Sequence, residues 1–436
     1  MDATLFALII TVALVTLLLL GLPVSFTMGG IAVLSALYIW GPKGMYMIAQ
    51  TAYAEGTQEI LLAVPLFIFM ANILRCSDLA DDLYQMVYAW MGRIPGGLAI
   101  GTVIICAIFA AMAGISSVAT VSMGLIALPS MLKRGYSKVL VTGSISAGGA
   151  LGILIPPSVI MVIYGTMTEV SVGQLFMGGF LPGILLAAMF CVYILIRCLI
   201  NPTLGPPVQE RFTLWQKVAT LKGIILPVLL ILLVLGAIYS GAATPTEAAG
   251  VGAFGALVCA LFHGKMTRWD FKEALLSTLS LTAMVIWIVA GAVAFTHVLA
   301  YAGVSTMLKS GILGLELSKW WIFFGLQLLF FVLGCFLDPA GIIMLTTPIF
   351  VPLVKELGFD PVWFGVIFTI NMEMAYITPP FGFNLFIMKA VVPPEITMDD
   401  IYRSIIPFVV VQMLCLFICT IFPEIVMYLP SMMHQR

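Results

Sequence analysis

PSMLKRGYSKVLVTGSISAGGALGILIPP, residues 129–157, and PLVKELGFDPVWFGVIFTINMEMAYITPP, residues 352–380, are one pattern written twice. Pro129, Gly135, Pro156 and Pro157 fall on Pro352, Gly358, Pro379 and Pro380 at a constant offset of 223 residues, with no gap. Farther out, Pro23 and Pro245 keep a spacing of 222. Around these anchors the chain is apolar: of its 436 residues 62% are hydrophobic and 9% charged. A soluble domain carries about 25% charged residues. So few charges cannot cover a soluble surface, so lipid is the solvent for most of this chain. Matched apolar segments, each interrupted by Gly and Pro, predict an all-α polytopic membrane protein built from two repeats, with a polar site where the repeats meet.

Crossing a bilayer takes about 20 residues of helix. Apolar runs predict crossings near 4–21, 24–41, 59–75, 138–166 and 174–200, then near 221–239, 246–263, 275–301, 362–390 and 404–429. The run from Leu5 to Leu20 lacks the basic n-region and cleavage site of a signal peptide, so it is read as a retained helix. Two more stretches, 98–134 and 320–357, are apolar but broken by AGISS (113–117) and LDPAG (337–341). They read as re-entrant hairpins, whose irregular tips are tolerated at membrane depth only inside protein or beside a water-filled cavity. Ten crossings and two hairpins divide into a first repeat, 1–200, a linker rich in Pro and basic residues, 201–222, and a second repeat, 223–436.

Charge predicts the orientation. With the N-terminus outside, Arg75, Arg93, Lys133, Arg134, Lys138, Arg197, Arg211, Lys217, Lys222, Lys265, Arg268, Lys272, Lys389 and Arg403 are cytoplasmic. Lys43, Lys309, Lys319, Lys355 and Arg436 are outside, a ratio of 14 to 5. That asymmetry is the positive-inside pattern. The second repeat then starts inside, so the repeats are inverted. A net charge of −1 argues against nucleic acid as a partner. The eight cysteines form no CxxC pair, so neither metal nor disulfide chemistry is expected.

Polar groups at the interruptions are the candidates for function. Asp338 before Pro339 is a helix-start signal, and Ser116 or Ser117 is expected to cap the other hairpin in the same way. At a tip, one helix end offers carbonyl oxygens to a cation and the next offers N–H groups to an anion. In 146–165, Gly148, Gly149 and Gly152 loosen the helix before Pro156 and Pro157. In 371–386, Thr378 and Asn384 flank Pro379 and Pro380. Freed carbonyls plus a few hydroxyl and amide oxygens suit a hard cation such as Na⁺. Plain caps and a kinked helix are the simpler readings. Glu373 is an acid inside a predicted crossing and hence a candidate for proton binding or for the solute path, or a polar contact between helices. Glu247 is read as a first-turn acid at a membrane boundary and His297 as a satisfied core histidine.

At these residues the chain resembles the large membrane subunit of tripartite ATP-independent periplasmic (TRAP) transporters. The matching segments are VPLFIFMANIL (64–74), GISSVATVSMGLIALPSMLKRGY (114–136), LGILIPPSVIMVIYG (151–165), LFMGGFLPG (175–183), TPTEAAGVGAF (244–254), DPAGIIMLTTPIFVPLVKELGFDPVWFG (338–365) and ITPPFGFNLF (377–386). The resemblance implies Na⁺-coupled uptake of a small organic anion, a carboxylate or sulfonate, across the bacterial inner membrane. It implies an elevator-type ion-transporter fold, a periplasmic solute-binding protein and a small four-helix membrane subunit. No four-helix segment precedes residue 1, so that subunit is expected as a separate polypeptide. By position, one Na⁺ site is expected between Ser116, Ser117, Thr120 and the Gly148–Gly152 break, and a second between Asp338, Gly341 and Met374–Thr378. The solute is expected near Ser117, Pro157 and Ser158 on one side and Pro380 and Asn384 on the other. Relatives carry Gly-Ser-Ser or Ser-Gly-Ser at the first tip, whereas this chain has Gly114-Ile115-Ser116-Ser117, which leaves open which serine reaches the ion.

Two other readings stand beside this one. A stand-alone anion permease or antiporter of the same superfamily would need no binding protein. An intramembrane enzyme would need a nucleophile–base pair or paired acids, and the chain has no HExxH, GxSxG or GxGD motif. With no GxxxxGK[ST], ATP is not indicated as the energy source.

Overall fold

The computed structural model describes residues 3–433 apart from Asp78, Gln209, Arg211, Gly264 and Lys265, so Arg211, Lys265 and Arg436 of the charge pattern lie outside the described residues. Among the described residues all regular structure is helical. The first repeat runs α1 (Ala3–Leu19), α2 (Val24–Trp40), α3 (Lys43–Gly56), α4 (Ala63–Arg75), α5 (Leu79–Met91), α6 (Gly97–Ala113), α7 (Ser116–Lys133), α8 (Lys138–Ala150), α9 (Val159–Thr168) and α10 (Val172–Ile200). The linker contains α11 (Leu214–Thr220). The second repeat runs α12 (Lys222–Tyr239), α13 (Pro245–His263), α14 (Arg268–Tyr301), α15 (Val304–Leu313), α16 (Lys319–Gly334), α17 (Pro339–Glu356), α18 (Pro361–Tyr376), α19 (Phe383–Val391), α20 (Met398–Ile421) and α21 (Glu424–Met433).

The helices match in order. The hairpins are α6/α7 and α16/α17, the broken crossings α8/α9 and α18/α19, and the closing helices α10 and α20. One pair differs: residues 43–75 bend by 60° between α3 and α4, whereas α14 runs unbroken for 34 residues. Pro65 has no N–H for the carbonyl of Leu61, and the stretch Glu59–Leu62 is a 3-10 turn instead of a continued α-helix. Among the described residues α7, α10, α13, α14 and α20 are each long and apolar enough to cross a membrane. The other expected crossings are shorter helices or bent pairs.

Four helices had not been expected. α3, α5, α11 and α15 are too short or too polar to register as crossings; α5, for example, opens with Asp81 and Asp82. The expected crossing 404–429 is two helices, because α20 ends at Ile421 and Pro423 precedes α21.

Contacts between the repeats come in exchanged pairs. α19 packs on α7 and α9 on α17; α20 packs on α8 and α10 on α18; α13 packs on α4 and α2 on α14. Reciprocal contact is the mark of a two-fold arrangement. The helices sort into two groups. In one, α1–α4 pack with α12–α14; Gly29 meets Gly291 so closely that a Cβ on Gly291 would lie 2.7 Å from the Ser25 carbonyl oxygen. Asn72 donates to Thr278 Oγ1 at 3.1 Å within that group. The second group holds both hairpins, both broken crossings, α10, α20 and α21. Arg75–Glu273 (2.9 Å), Lys138–Asp400 (2.8 Å) and Lys309–Glu356 are ion pairs at helix ends.

Candidate functional site

The first tip is two residues long. α6 stops where Gly114 enters the left-handed region at φ +61°, a conformation that costs glycine nothing. Ile115 is extended and α7 begins at Ser116. This corrects the expected serine cap: the residue in the cap position is Ile115, with no side-chain acceptor, and the serines are already in the helix. Ser116 Oγ is thereby left buried with no hydrogen-bond partner among the described residues.

The first break closes onto this tip. Val159 N–H donates to the Gly114 carbonyl at 3.3 Å. Gly149 is pressed against Thr120, and a Cβ on Gly152 would lie 2.9 Å from the Ser116 nitrogen. Gly148 abuts Cys106 of α6. The second repeat reaches in through Asn384, which is fully buried: Thr120 Oγ1 donates to Asn384 Oδ1 at 2.9 Å, and Asn384 Nδ2 donates to the Ser146 carbonyl at 2.8 Å. Ser146 Oγ, like Ser116 Oγ, has no partner among the described residues. The structure thus gathers Ser116, Thr120, Gly148, Gly152 and Asn384 in one buried socket, with Ser117 half-buried at its edge.

The second tip is built differently. Asp338 caps α17, accepting the Gly341 N–H at 3.0 Å, with Pro339 in the first turn as expected. Gly341 also lies against Val24 at the start of α2. The tip meets its own break where Gly334 abuts Ala375 and where Phe336 and Phe381 approach to 5.5 Å between ring centres. Thr378 Oγ1 donates to the Met374 carbonyl at 2.7 Å, so its hydrogen is used inside its own helix end. The break is open to the surface: Pro380, Phe381 and Phe383 are exposed, and Tyr402 Oη donates to the Pro380 carbonyl at 2.7 Å. Both Pro-Pro bonds, 156–157 and 379–380, are cis.

The expected solute residues separate. Pro157 and Ser158 are buried; Ser158 Oγ donates to the Ile153 carbonyl at 2.5 Å and receives Met161 N–H at 3.4 Å, capping α9. Asn384 belongs to the first socket, while Ser117 and Pro380 keep exposed surface. His297 is not a core histidine: it is exposed and lines a cavity of about 800 Å³, together with Glu55, Gln58, Glu169, Thr347 and Lys355, between the two helix groups. Glu247 is the exposed first-turn acid of α13, in a reciprocal cap with Thr244.

Sequence reasoning missed Ser146, whose carbonyl receives Asn384 in the socket and whose hydroxyl is buried three residues before Gly149. The signal was there: Ser146 and Gly149 fall three apart, on the helix face that meets the tip. Chemically, the socket offers hydroxyl, amide and carbonyl oxygens with no basic side chain, a set for a hard cation. Among the described residues no three His, Cys, Asp or Glu are grouped so as to hold a metal ion.

Comparison with known proteins gives a consistent result. The family described as "Tripartite ATP-independent periplasmic transporter, DctM component" matches residues 11–425. The C4-dicarboxylate TRAP transporter large permease protein of Pseudomonas aeruginosa is 34% identical over 394 residues, 90% of this chain and 91% of the relative. The ectoine/5-hydroxyectoine TRAP transporter large permease protein of Ruegeria pomeroyi is 32% identical over 439 residues, covering 100% of both. In fold, the chain is similar to the Alcanivorax borkumensis YdaH transporter, with a TM-score of 0.64 at 14% identity over 95% of this chain and 99% of that one.

Proposed function

The chain belongs to the DctM component family of tripartite ATP-independent periplasmic transporters, and from that premise we propose that it couples Na⁺ entry to uptake of a small organic anion. Membership makes it a multi-pass membrane transport protein and not an enzyme. In the proposed cycle a periplasmic binding protein hands over the solute and a small four-helix subunit packs against the permease in the bacterial inner membrane. The N-terminus is periplasmic. The group carrying the hairpins moves as an elevator against the group formed by α1–α4 and α12–α14.

One observation carries the ion proposal: two buried serine hydroxyls, Ser116 and Ser146, have no partner among the described residues, and the Thr120–Asn384–Ser146 chain of hydrogen bonds joins the two helices that carry them. A buried hydroxyl without a partner costs about 1–3 kcal/mol. A cation that takes both oxygens removes that cost and draws a hairpin, a broken helix and the other repeat together. The second Na⁺ is assigned to Asp338, Gly341 and the carbonyl end of α18 at Met374–Thr378, where the carboxylate supplies the charge. The solute is assigned to the space between the tips, reached from Ser117 and Pro380. Each charge moving down 100 mV releases about 2.3 kcal/mol, so two sodium ions can drive accumulation of a monoanion.

The test is uptake into proteoliposomes holding the permease and its small subunit, supplied with the cognate binding protein. Succinate and isethionate serve as probes, because relatives are named for C4-dicarboxylate and for isethionate. Uptake is expected only with an inward Na⁺ gradient and only with the binding protein. Equal uptake under K⁺ would overturn Na⁺ coupling. Undiminished uptake without the binding protein would favour the stand-alone permease.

A further inference from the structure

Neither proposed ion site uses Glu373. It sits in α18, two residues before the break-facing Ala375, with no exposed surface. Neither carboxyl oxygen has a hydrogen-bond partner among the described residues. Facing it from α20 is Gln412, also wholly buried, whose amide oxygen and nitrogen are likewise unpartnered. Cys415 and Cys419 continue that face of α20 and are buried as well.

Among the described residues, the other helices packed on α18 carry basic side chains only near their ends. α16 turns Gln327 to Asn371, which donates to it at 2.7 Å, and Tyr164 of α9 lies against Phe368. Asp338, at the tip of the second hairpin, faces Tyr376. The basic residues of these helices stand near helix ends: Lys138 on α8, Arg197 on α10, Lys319 on α16, Lys355 on α17 and Arg403 on α20. Lys138 and Arg403 are already paired, with Asp400 and Asp399. Glu424 opens α21 at the far end of α18.

The donor and acceptor inventory decides what the pair can be. A carboxylate has only acceptors, so beside a primary amide it can use the N–H and leaves the amide oxygen with no donor. A carboxylic acid and a primary amide complete each other: O–H to Gln412 Oε1, and Gln412 Nε2–H to the acid carbonyl. We propose that Glu373 and Gln412 form a proton-binding site, in which the acid holds its proton and the reciprocal pair ties α18 to α20 beside the second break. Release of the proton leaves a buried charge with no counter-ion, so the pair must open for the proton to leave. The site is additional to the Na⁺ reading and can fail without it.

Infrared spectroscopy of the purified permease tests the proton without any transport assay. The wild-type spectrum minus that of Glu373→Gln is expected to contain the C=O band of a protonated carboxyl. In Gln412→Leu, which keeps Glu373, that band shifts because its partner is gone. No protonated-acid band in the difference, or a band unmoved by Gln412→Leu, overturns the proposal. Uptake adds a second readout. Glu373→Gln cannot titrate, so its uptake is expected to depend on pH less steeply than that of wild type, while Glu373→Ala, which leaves Gln412 without its partner, loses about tenfold or more. As pH rises, wild-type uptake falls first and Glu373→Gln persists. A folded Glu373→Gln permease whose uptake falls with pH as the wild type's does would show that another group titrates, and the proposal would be wrong.

Discussion

The two tip-and-break pairs come from one repeated sequence but are finished differently. At the first, residues 114–120 and 146–158 are closed over one another and two hydroxyls have no partner among the described residues. At the second, Asp338 and Thr378 are hydrogen-bonded within their own segments, and Pro380, Phe381 and Phe383 lie at the surface. Even the small residue changes sides. In the first pair the glycine is on the broken crossing, Gly152 against Ser116. In the second it is on the hairpin, Gly334 against Ala375, the residue that takes the place of Gly152 at the 223-residue offset. Two-fold repetition therefore supplies the framework, and local substitutions decide which end is a closed socket with spare oxygens and which is open to the surface.

Putting bulk into the closed socket breaks the comparison most severely. Gly152→Val forces a branched side chain onto the Ser116 backbone; overpacking of this kind costs about 1–3 kcal/mol, and uptake is expected to be lost. Ala375→Gly, at the matched position, is expected to cost about 1 kcal/mol through helix propensity and to leave measurable uptake. Equal melting temperatures for the two variants would show that the socket is not tightly closed.

Asn384→Leu comes next. It strips Thr120 of its acceptor and leaves the buried Ser146 carbonyl without its donor, for about 1–3 kcal/mol. Thr378→Val, at the open end, removes only a hydrogen bond within the helix end and is expected to change stability by less than about 1 kcal/mol. Thermal unfolding of both proteins in detergent checks the order.

Asp338 offers a finer cut. Asp338→Ala removes a cap worth about 1 kcal/mol, whereas Asp338→Asn keeps an acceptor for Gly341 N–H and is close to neutral for folding. If the carboxylate also binds Na⁺, both variants lose the Na⁺ response of uptake equally. If Asp338 is only a cap, Asp338→Asn transports like wild type.

How far the sequence could be read follows from the same asymmetry. Breaks announced by Pro and Gly, at 156–157, 379–380, 114 and 338–339, were legible because those residues restrict the backbone wherever they stand. The repeat was legible for the same reason. Ser116 as a cap was misjudged, because a cap depends on the backbone angles of one residue and Ile115 took that place. Asn384 was assigned to its own break but points into the other repeat, a contact between residues 264 apart that no local pattern encodes. His297 was taken for a core residue because α14 is apolar around it; its exposure depends on how α14 faces the cavity. The short helices α3, α5, α11 and α15 escaped because neither length nor hydropathy sets them apart from loops.

The socket itself can be tested without knowing the solute. The melting temperature of the purified permease is to be measured in rising NaCl against KCl at equal ionic strength, for wild type and for the Ser116→Ala, Ser146→Ala double variant. A ligand at 100 times its dissociation constant stabilises a protein by about 2.7 kcal/mol. The account predicts a Na⁺-specific rise in the wild type that the double variant loses or reaches only at higher NaCl, while in K⁺ the double variant melts no lower than wild type because two unpartnered hydroxyls are gone. Identical curves in Na⁺ and K⁺, or a double variant indistinguishable from wild type, would contradict it.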